Sequence, residues 1–147
     1  MAFIIVVWFG WLVLMALDAK RWNLSQMPEA LNYVGAVLIP IGFFIVRLTF
    51  RENSFAAPVI KIQEERGQRV ISTGPYRIVR HPMYAGYTIL HIGFLLSFPS
   101  LWNIVLYSTE LAIQLARLLR EELLLNEDQS YRAYAARVRY RLVPLIF

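Results

Sequence analysis

Three stretches of this chain gather the residue types that bind ions and move charge. The run Gly74-Pro75-Tyr76-Arg77-Ile78-Val79-Arg80-His81-Pro82-Met83-Tyr84-Ala85-Gly86 places arginines, a histidine and tyrosines just before an apolar segment that Pro82 is suited to open as a helix. Cationic donors at a helix entrance suit an anionic ligand group, because the free amides and the dipole there favour negative charge. Ordinary snorkelling of Arg and Tyr at a membrane interface is the alternative, and the clustering speaks against it. The second stretch is Glu110, Gln114, Arg117 and Glu121, spaced by four, three and four positions and so sharing one helical face. An ionisable group inside a bilayer costs on the order of 2.5 to 3.5 kcal/mol unless it meets a partner or a polar cavity. That face is therefore expected to point inward. Glu110 reads equally as helix-joining glue with Arg117 and as a ligand, whereas Glu121 and Glu122 are the stronger site candidates. The third stretch, Tyr131 to Arg141, is rich in Arg and Tyr, and its Arg132, Arg139 and Arg141 read as ligands for anionic lipid headgroups. His91 reads as a hydrogen-bonded core residue. No second histidine stands at metal-ligand spacing from it, so no metal site is expected.

The elements that must position these residues follow from hydropathy. The composition, 58% hydrophobic and 17% charged, lies outside the usual soluble range. A hydrocarbon core about 30 Å thick asks for roughly 20 apolar helical residues, and residues 2–17, 31–50, 82–98 and 101–119 approach or meet that length. The first run has neither the basic start nor the small-residue end of a cleaved leader, so it too reads as a span. An all-α integral membrane protein with four transmembrane helices is predicted, forming one domain over residues 1–147. A long cytoplasmic loop, 51–81, and a short C-terminal interfacial helix, 129–139, complete it. Within the loop, residues 58–70 mix apolar and charged side chains and are expected to lie along the membrane surface. Two Lys or Arg residues lie between the first two spans, seven lie in and beside the long loop and six follow from Arg117 onward. This bias places the long loop, the tail and both termini in the cytoplasm. The basic residues flank apolar runs instead of forming a tract for nucleic acid, so the net charge of +5 speaks for membrane lipids as partners. With no cysteine, disulfides and thiolate metal sites are excluded.

Glu52-Asn53-Ser54-Phe55, Arg66-Gly67-Gln68-Arg69-Val70, the Arg80-His81-Pro82-x-Tyr84 centre, the Glu121-Glu122 pair and Tyr131-x-x-Tyr134-x-x-Arg137-Val138 ending at Pro144 follow one another in an order and spacing that resembles the isoprenylcysteine carboxyl methyltransferase family. That family lies within the broader group that includes membrane phospholipid methyltransferases. The likeness runs from about residue 30 onward; Asp128-Gln129-Ser130 stands where the family often has a glycine before its paired tyrosines. It implies an S-adenosylmethionine-dependent membrane methyltransferase, with the cofactor held outside any Rossmann fold. The sequence agrees, since it shows neither a strand pattern nor a Gly-rich phosphate loop. By the resemblance, Tyr76, His81, Pro82, Tyr84, Gly86, Glu121 and Glu122 surround the cofactor. Arg80 and Arg137 lie near the methyl acceptor and, with Glu121, form the catalytic set.

The implied reaction is carboxyl O-methylation of an isoprenylcysteine-like, lipophilic or lipidated substrate. A carboxylate is already ionised at neutral pH and needs no base. Its reaction with a sulfonium destroys two charges, which a dry pocket favours. Phospholipid amine N-methylation is the alternative, and there Glu or His would serve as base. A short, non-catalytic membrane subunit of the same family also fits the sequence. Four spans are few to enclose a lipid tunnel, which leaves room for a homo-oligomer.

Overall fold

The computed structural model describes residues 2–22, 25, 27–53 and 70–147. It is all-helical there, with no strand among the described residues. Helix α1 covers Ala2–Leu17 and closes with a π-helical turn, Asp18–Trp22. Helix α2 covers Glu29–Glu52, α3 Pro82–Ser97, α4 Leu101–Leu125 and α5 Gln129–Arg137. A short 3-10 turn, Gly74–Arg77, precedes α3. The four apolar runs thus become the first four helices. Of the described helices, α2 is long and apolar enough by itself to cross a membrane. Helices α1 and α3 have 16 residues each, just under the ~17 that a bilayer core needs, and α4 is longer but carries charge toward its end. The expected surface segment at 58–69 lies outside the described residues, as do Ser54, Phe55 and Arg66 to Arg69.

Glycines set the tightest contact. A Cβ on Gly35 would stand 2.6 Å from the Gly93 carbonyl, and one on Gly42 would stand 2.7 Å from the Leu90 nitrogen and 2.8 Å from the Gly86 carbonyl. Gly35 meets Gly93 and Gly42 meets Gly86, so α2 and α3 run antiparallel with their backbones almost touching. Small residues permit this approach, and dispersion between backbones then holds the pair. Gly86, expected beside the cofactor, also has a packing role at this crossing. Its missing side chain leaves room for Val46, whose Cγ2 would be 2.8 Å from a Cβ.

Helix α4 returns along the other side of α3. Gln114 is buried and donates to the Tyr84 carbonyl at 2.9 Å and to the Thr88 hydroxyl at 3.2 Å. One turn on, fully buried Leu118 packs with Tyr84 and Leu142. The polar face read from the spacing therefore does point inward over Gln114, but Glu110 does not follow it. Its side chain is 48% exposed and 3.5 Å from His91, whose ring stacks on Tyr107 at 4.9 Å. Glu110 thus pairs with His91 and joins α4 to α3.

Helix α1 is fixed to the start of α4. Asp18 is buried and its Oδ2 accepts from the Ser100 hydroxyl at 2.7 Å, the Ser25 hydroxyl at 3.0 Å and the Leu101 amide at 3.1 Å. A carboxylate at a helix N-terminus satisfies open amides and complements the dipole. Trp11 reaches Asn103 Oδ1 at 2.9 Å from the same side. The antiparallel packing puts residues 51–53, 70–81 and 121–147 together at one end of the bundle.

Gly42→Ala places a methyl against backbone atoms that cannot rotate away. It is expected to lower the unfolding temperature in detergent by several degrees, in line with ~1–3 kcal/mol for overpacking. Gly10→Ala, with open space around it, is expected to leave that temperature within a degree or so.

Candidate functional site

The site is assembled around one carboxylate. Pro82, which lacks an amide hydrogen, opens α3, and His81 immediately before it adopts a non-helical φ of −124°. That break turns His81 and Arg80 toward the end of α4. The His81 Nε2 lies 2.8 Å from Glu122 Oε1, which also accepts the Tyr131 hydroxyl at 2.8 Å. The other oxygen, Oε2, lies 3.1 Å from an Arg80 terminal nitrogen and 3.2 Å from Arg141 Nε. Two donors on each oxygen use the full acceptor capacity of an ionised carboxylate. Since that carboxylate donates nothing, His81 must carry its proton on Nε2 to bond it.

Electrostatics agree with this geometry. Glu122 is 4% exposed, and burial alone would raise its pKa. The hydrogen bonds from His81 and Tyr131, with the charges of His81 and Arg80, outweigh burial and hold it down to about 2. Burial pushes the Tyr131 hydroxyl well above the ordinary tyrosine value, and the hydrogen bond to Glu122 adds to this. Tyr134 and Tyr76 are raised as well, chiefly by burial. Tyr131 and Tyr134 therefore serve as neutral donors, to Glu122 and to the Tyr76 carbonyl, while the Tyr76 hydroxyl accepts.

Backbone bonds lock the same segments. The Arg80 amide donates to the Tyr140 carbonyl and the His81 amide to the Arg141 carbonyl, both at 2.9 Å. From α5, the Tyr134 hydroxyl donates to the Tyr76 carbonyl at 2.8 Å. At the end of α2, Asn53 donates to the Tyr76 hydroxyl at 2.9 Å, and Glu52 accepts the Thr73 hydroxyl at 2.7 Å. Gly74, at φ +55°, takes a left-handed conformation where a Cβ would strike Glu52. Asp128 caps α5 by accepting the Ser130 amide at 2.7 Å.

Of the residues singled out in the sequence, Tyr76, Arg80, His81, Pro82, Tyr84, Glu121 and Glu122 converge here. Glu121 takes the Tyr84 hydroxyl at 2.9 Å and remains partly open. Gly86 sits instead at the α2–α3 crossing, and Arg137 is exposed at the end of α5. Arg141, read as a lipid ligand, is instead an ion-pair partner of the buried carboxylate, because the extended segment after α5 turns its side chain inward. The sequence offered no means of separating it from Arg139. Tyr131 was flagged by its helical spacing from Tyr134, but its partner was not foreseen.

The cluster has a chemical bias. Arg80 and Arg141 carry two positive charges against the single charge of Glu122. The Arg80 side chain is nine-tenths buried and its Nε has no hydrogen-bond partner among the described residues. A buried donor without an acceptor is costly, and an anionic group would satisfy it. Glu121, one residue along, offers a carboxylate for a cation.

Comparison with known proteins gives the class of protein that this arrangement of helices and polar side chains serves. A model of the phospholipid methyltransferase family matches residues 31–132. The chain belongs to that family, whose name denotes methyl-transferring enzymes. Two curated relatives, both named probable protein-S-isoprenylcysteine O-methyltransferase, from the indica and japonica subspecies of Oryza sativa, are each 39% identical over 64 residues. The alignment covers 42% of this chain and 33% of each relative, so the chain spans about a third of the length of those relatives. No solved structure matches the chain.

The depressed pKa of Glu122 fixes an acid dependence. Its folded value lies below the unfolded 4.5, so its stabilisation is complete above pH 4.5 and is lost as pH falls toward about 2. Unfolding followed from pH 7 downward is expected to show a flat region and then a loss of roughly 3 kcal/mol across that window. Glu122→Gln is expected to be less stable at neutral pH and to lack this acid limb.

Proposed function

We propose that the chain is an S-adenosylmethionine-dependent membrane methyltransferase for a lipophilic acceptor, with carboxyl O-methylation of an isoprenylcysteine-like substrate as the leading reaction. One observation carries the reading. A saturated Glu122 holds Arg80, with its open buried Nε, beside a partly open Glu121. A guanidinium and a carboxylate at the same end of the bundle have the charges that a zwitterionic amino acid group needs. When bound, S-adenosylmethionine supplies an electrophilic methyl group on a sulfonium.

Glu121 would take the ammonium, while Arg80 and the first amides of α3 would take the carboxylate. The rings of Tyr76 and Tyr84 would offer faces to the cation. Glu122 and His81, with their bonds satisfied internally, act by positioning. An anionic acceptor would be met by exposed Arg137, with Arg80 nearby, without any base. Helices α1 to α4 would cross the bilayer with this end in the cytoplasm. The Lys and Arg distribution supports that orientation, and the length and apolarity of α2 support insertion.

A second reading, N-methylation of a phospholipid amine, is favoured by the description of the matching family. Glu121 would then relieve the acceptor of its proton. With labelled S-adenosylmethionine and membranes, carboxyl methylation should yield a base-labile product, and N-methylation a base-stable one. A chain that binds no S-adenosylmethionine in calorimetry would be a non-catalytic subunit.

Glu121→Gln is expected to weaken S-adenosylmethionine binding more than tenfold, or above ~1.4 kcal/mol, with an unfolding temperature close to the parent's. Unchanged affinity would remove Glu121 from the cofactor site.

A further inference from the structure

Residues 142–147 form an ordered knuckle. The Leu142 and Val143 amides donate to the Phe147 carbonyl at 2.8 and 3.0 Å, and the Phe147 amide returns to Val143 at 3.0 Å. Leu145 takes a left-handed φ of 70° to close the turn. The base of the knuckle is anchored: Leu142 is buried with Tyr84 and Leu118, and the Arg141 guanidinium lies over the Phe147 ring at 5.1 Å. Its tip is bare, with Leu145 85% and Ile146 82% exposed. Turns facing water favour Gly, Asn, Asp and Ser. This one holds out two branched apolar side chains where the backbone prefers a glycine.

Position and charge identify what covers the tip. Leu142 packs at the first turn of α3, so the knuckle leaves the bundle at the level where the apolar helices end. The chain leading to it bears exposed Arg132, Arg137 and Arg139. Apolar tips beside arginines at that level match an anionic leaflet, whereas protein interface cores are depleted of charge.

We propose that residues 143–147 insert Leu145 and Ile146 into the acyl boundary of an anionic leaflet, so that the bilayer clamps the segment supplying the Tyr140 and Arg141 carbonyls to the site. The inference rests on the membrane reading above. Its consequence is a site held more firmly on a membrane than off it. The amides that report the clamp are those of Arg80 and His81, bonded to those two carbonyls.

The chain has no cysteine, so Leu145→Cys and Ile146→Cys can carry an environment-sensitive fluorophore in the full chain. The labelled protein would be placed in phosphatidylcholine vesicles containing phosphatidylglycerol. Nitroxides on the lipid acyl chains should quench the label severalfold more than aqueous iodide does, with the reverse at Glu127→Cys in the exposed α4–α5 turn. Quenching at 145 and 146 by iodide, or protection from both agents as in contact with protein or a second copy, overturns the proposal. A label at exposed Phe43 of α2 tests the membrane reading separately, since acyl nitroxides must reach it whatever the knuckle does. For the clamp, Leu145→Asp with Ile146→Asp should speed hydrogen exchange at Arg80 and His81 severalfold in vesicles. Unchanged exchange would show that the bilayer does not hold the segment.

Discussion

A carboxylate taken out of water must have both its charge and its lone pairs met, and at Glu122 the four donors come from three parts of the chain. Arg80 and His81 precede α3, Tyr131 lies on α5 and Arg141 follows α5. No two of these regions form a local unit, so this one side chain brings the end of the bundle together. Buried ion pairs are poor sources of net stability, because desolvation offsets most of the attraction. Their value lies in specificity, since removing one partner leaves an uncompensated charge, and here that specificity fixes where Arg80 points.

The glycine contact between α2 and α3 serves the same end from further away. Close approach at Gly35–Gly93 and Gly42–Gly86 fixes the register of the two helices. Register in turn delivers Glu52 and Asn53 to Thr73 and Tyr76. Tyr76 then receives Tyr134 through its carbonyl, so α5 is tied to α2 by way of a loop residue. Packing in the apolar bundle and polar bonds at its end therefore constrain each other, and the partly open Glu121 sits where both sets of constraints meet.

Much of this was legible in the sequence. Four apolar runs gave four helices, with starts within two residues, because long hydrophobic stretches flanked by Pro82 and Pro99 admit few other readings. Helix α4 runs six residues past its apolar run, to Leu125, because hydropathy stops at the charged turn and the helix does not. Polar clustering located the site residues from Tyr76 to Tyr84 and the Glu121–Glu122 pair. The division of work within that pair was not legible, since adjacent identical residues differ only in which way the helix turns them. Arg141 was misread for a related reason: its role depends on an extended segment whose path is set by backbone bonds to Arg80 and His81. Gly86 sits in a motif of chemically active residues, yet the absence of its side chain is explained by Val46 on a neighbouring helix.

The most direct measurement of the central claim is a double-mutant cycle between His81 and Glu122, read as unfolding free energy in one detergent. Each single change, His81→Ala or Glu122→Gln, strands buried partners, and the pair is expected to cost well below the sum of the two, with a coupling of roughly 1–3 kcal/mol. Additive losses within about 0.5 kcal/mol would mean that the two residues do not act on each other, and that Glu122 does not organise this end of the protein.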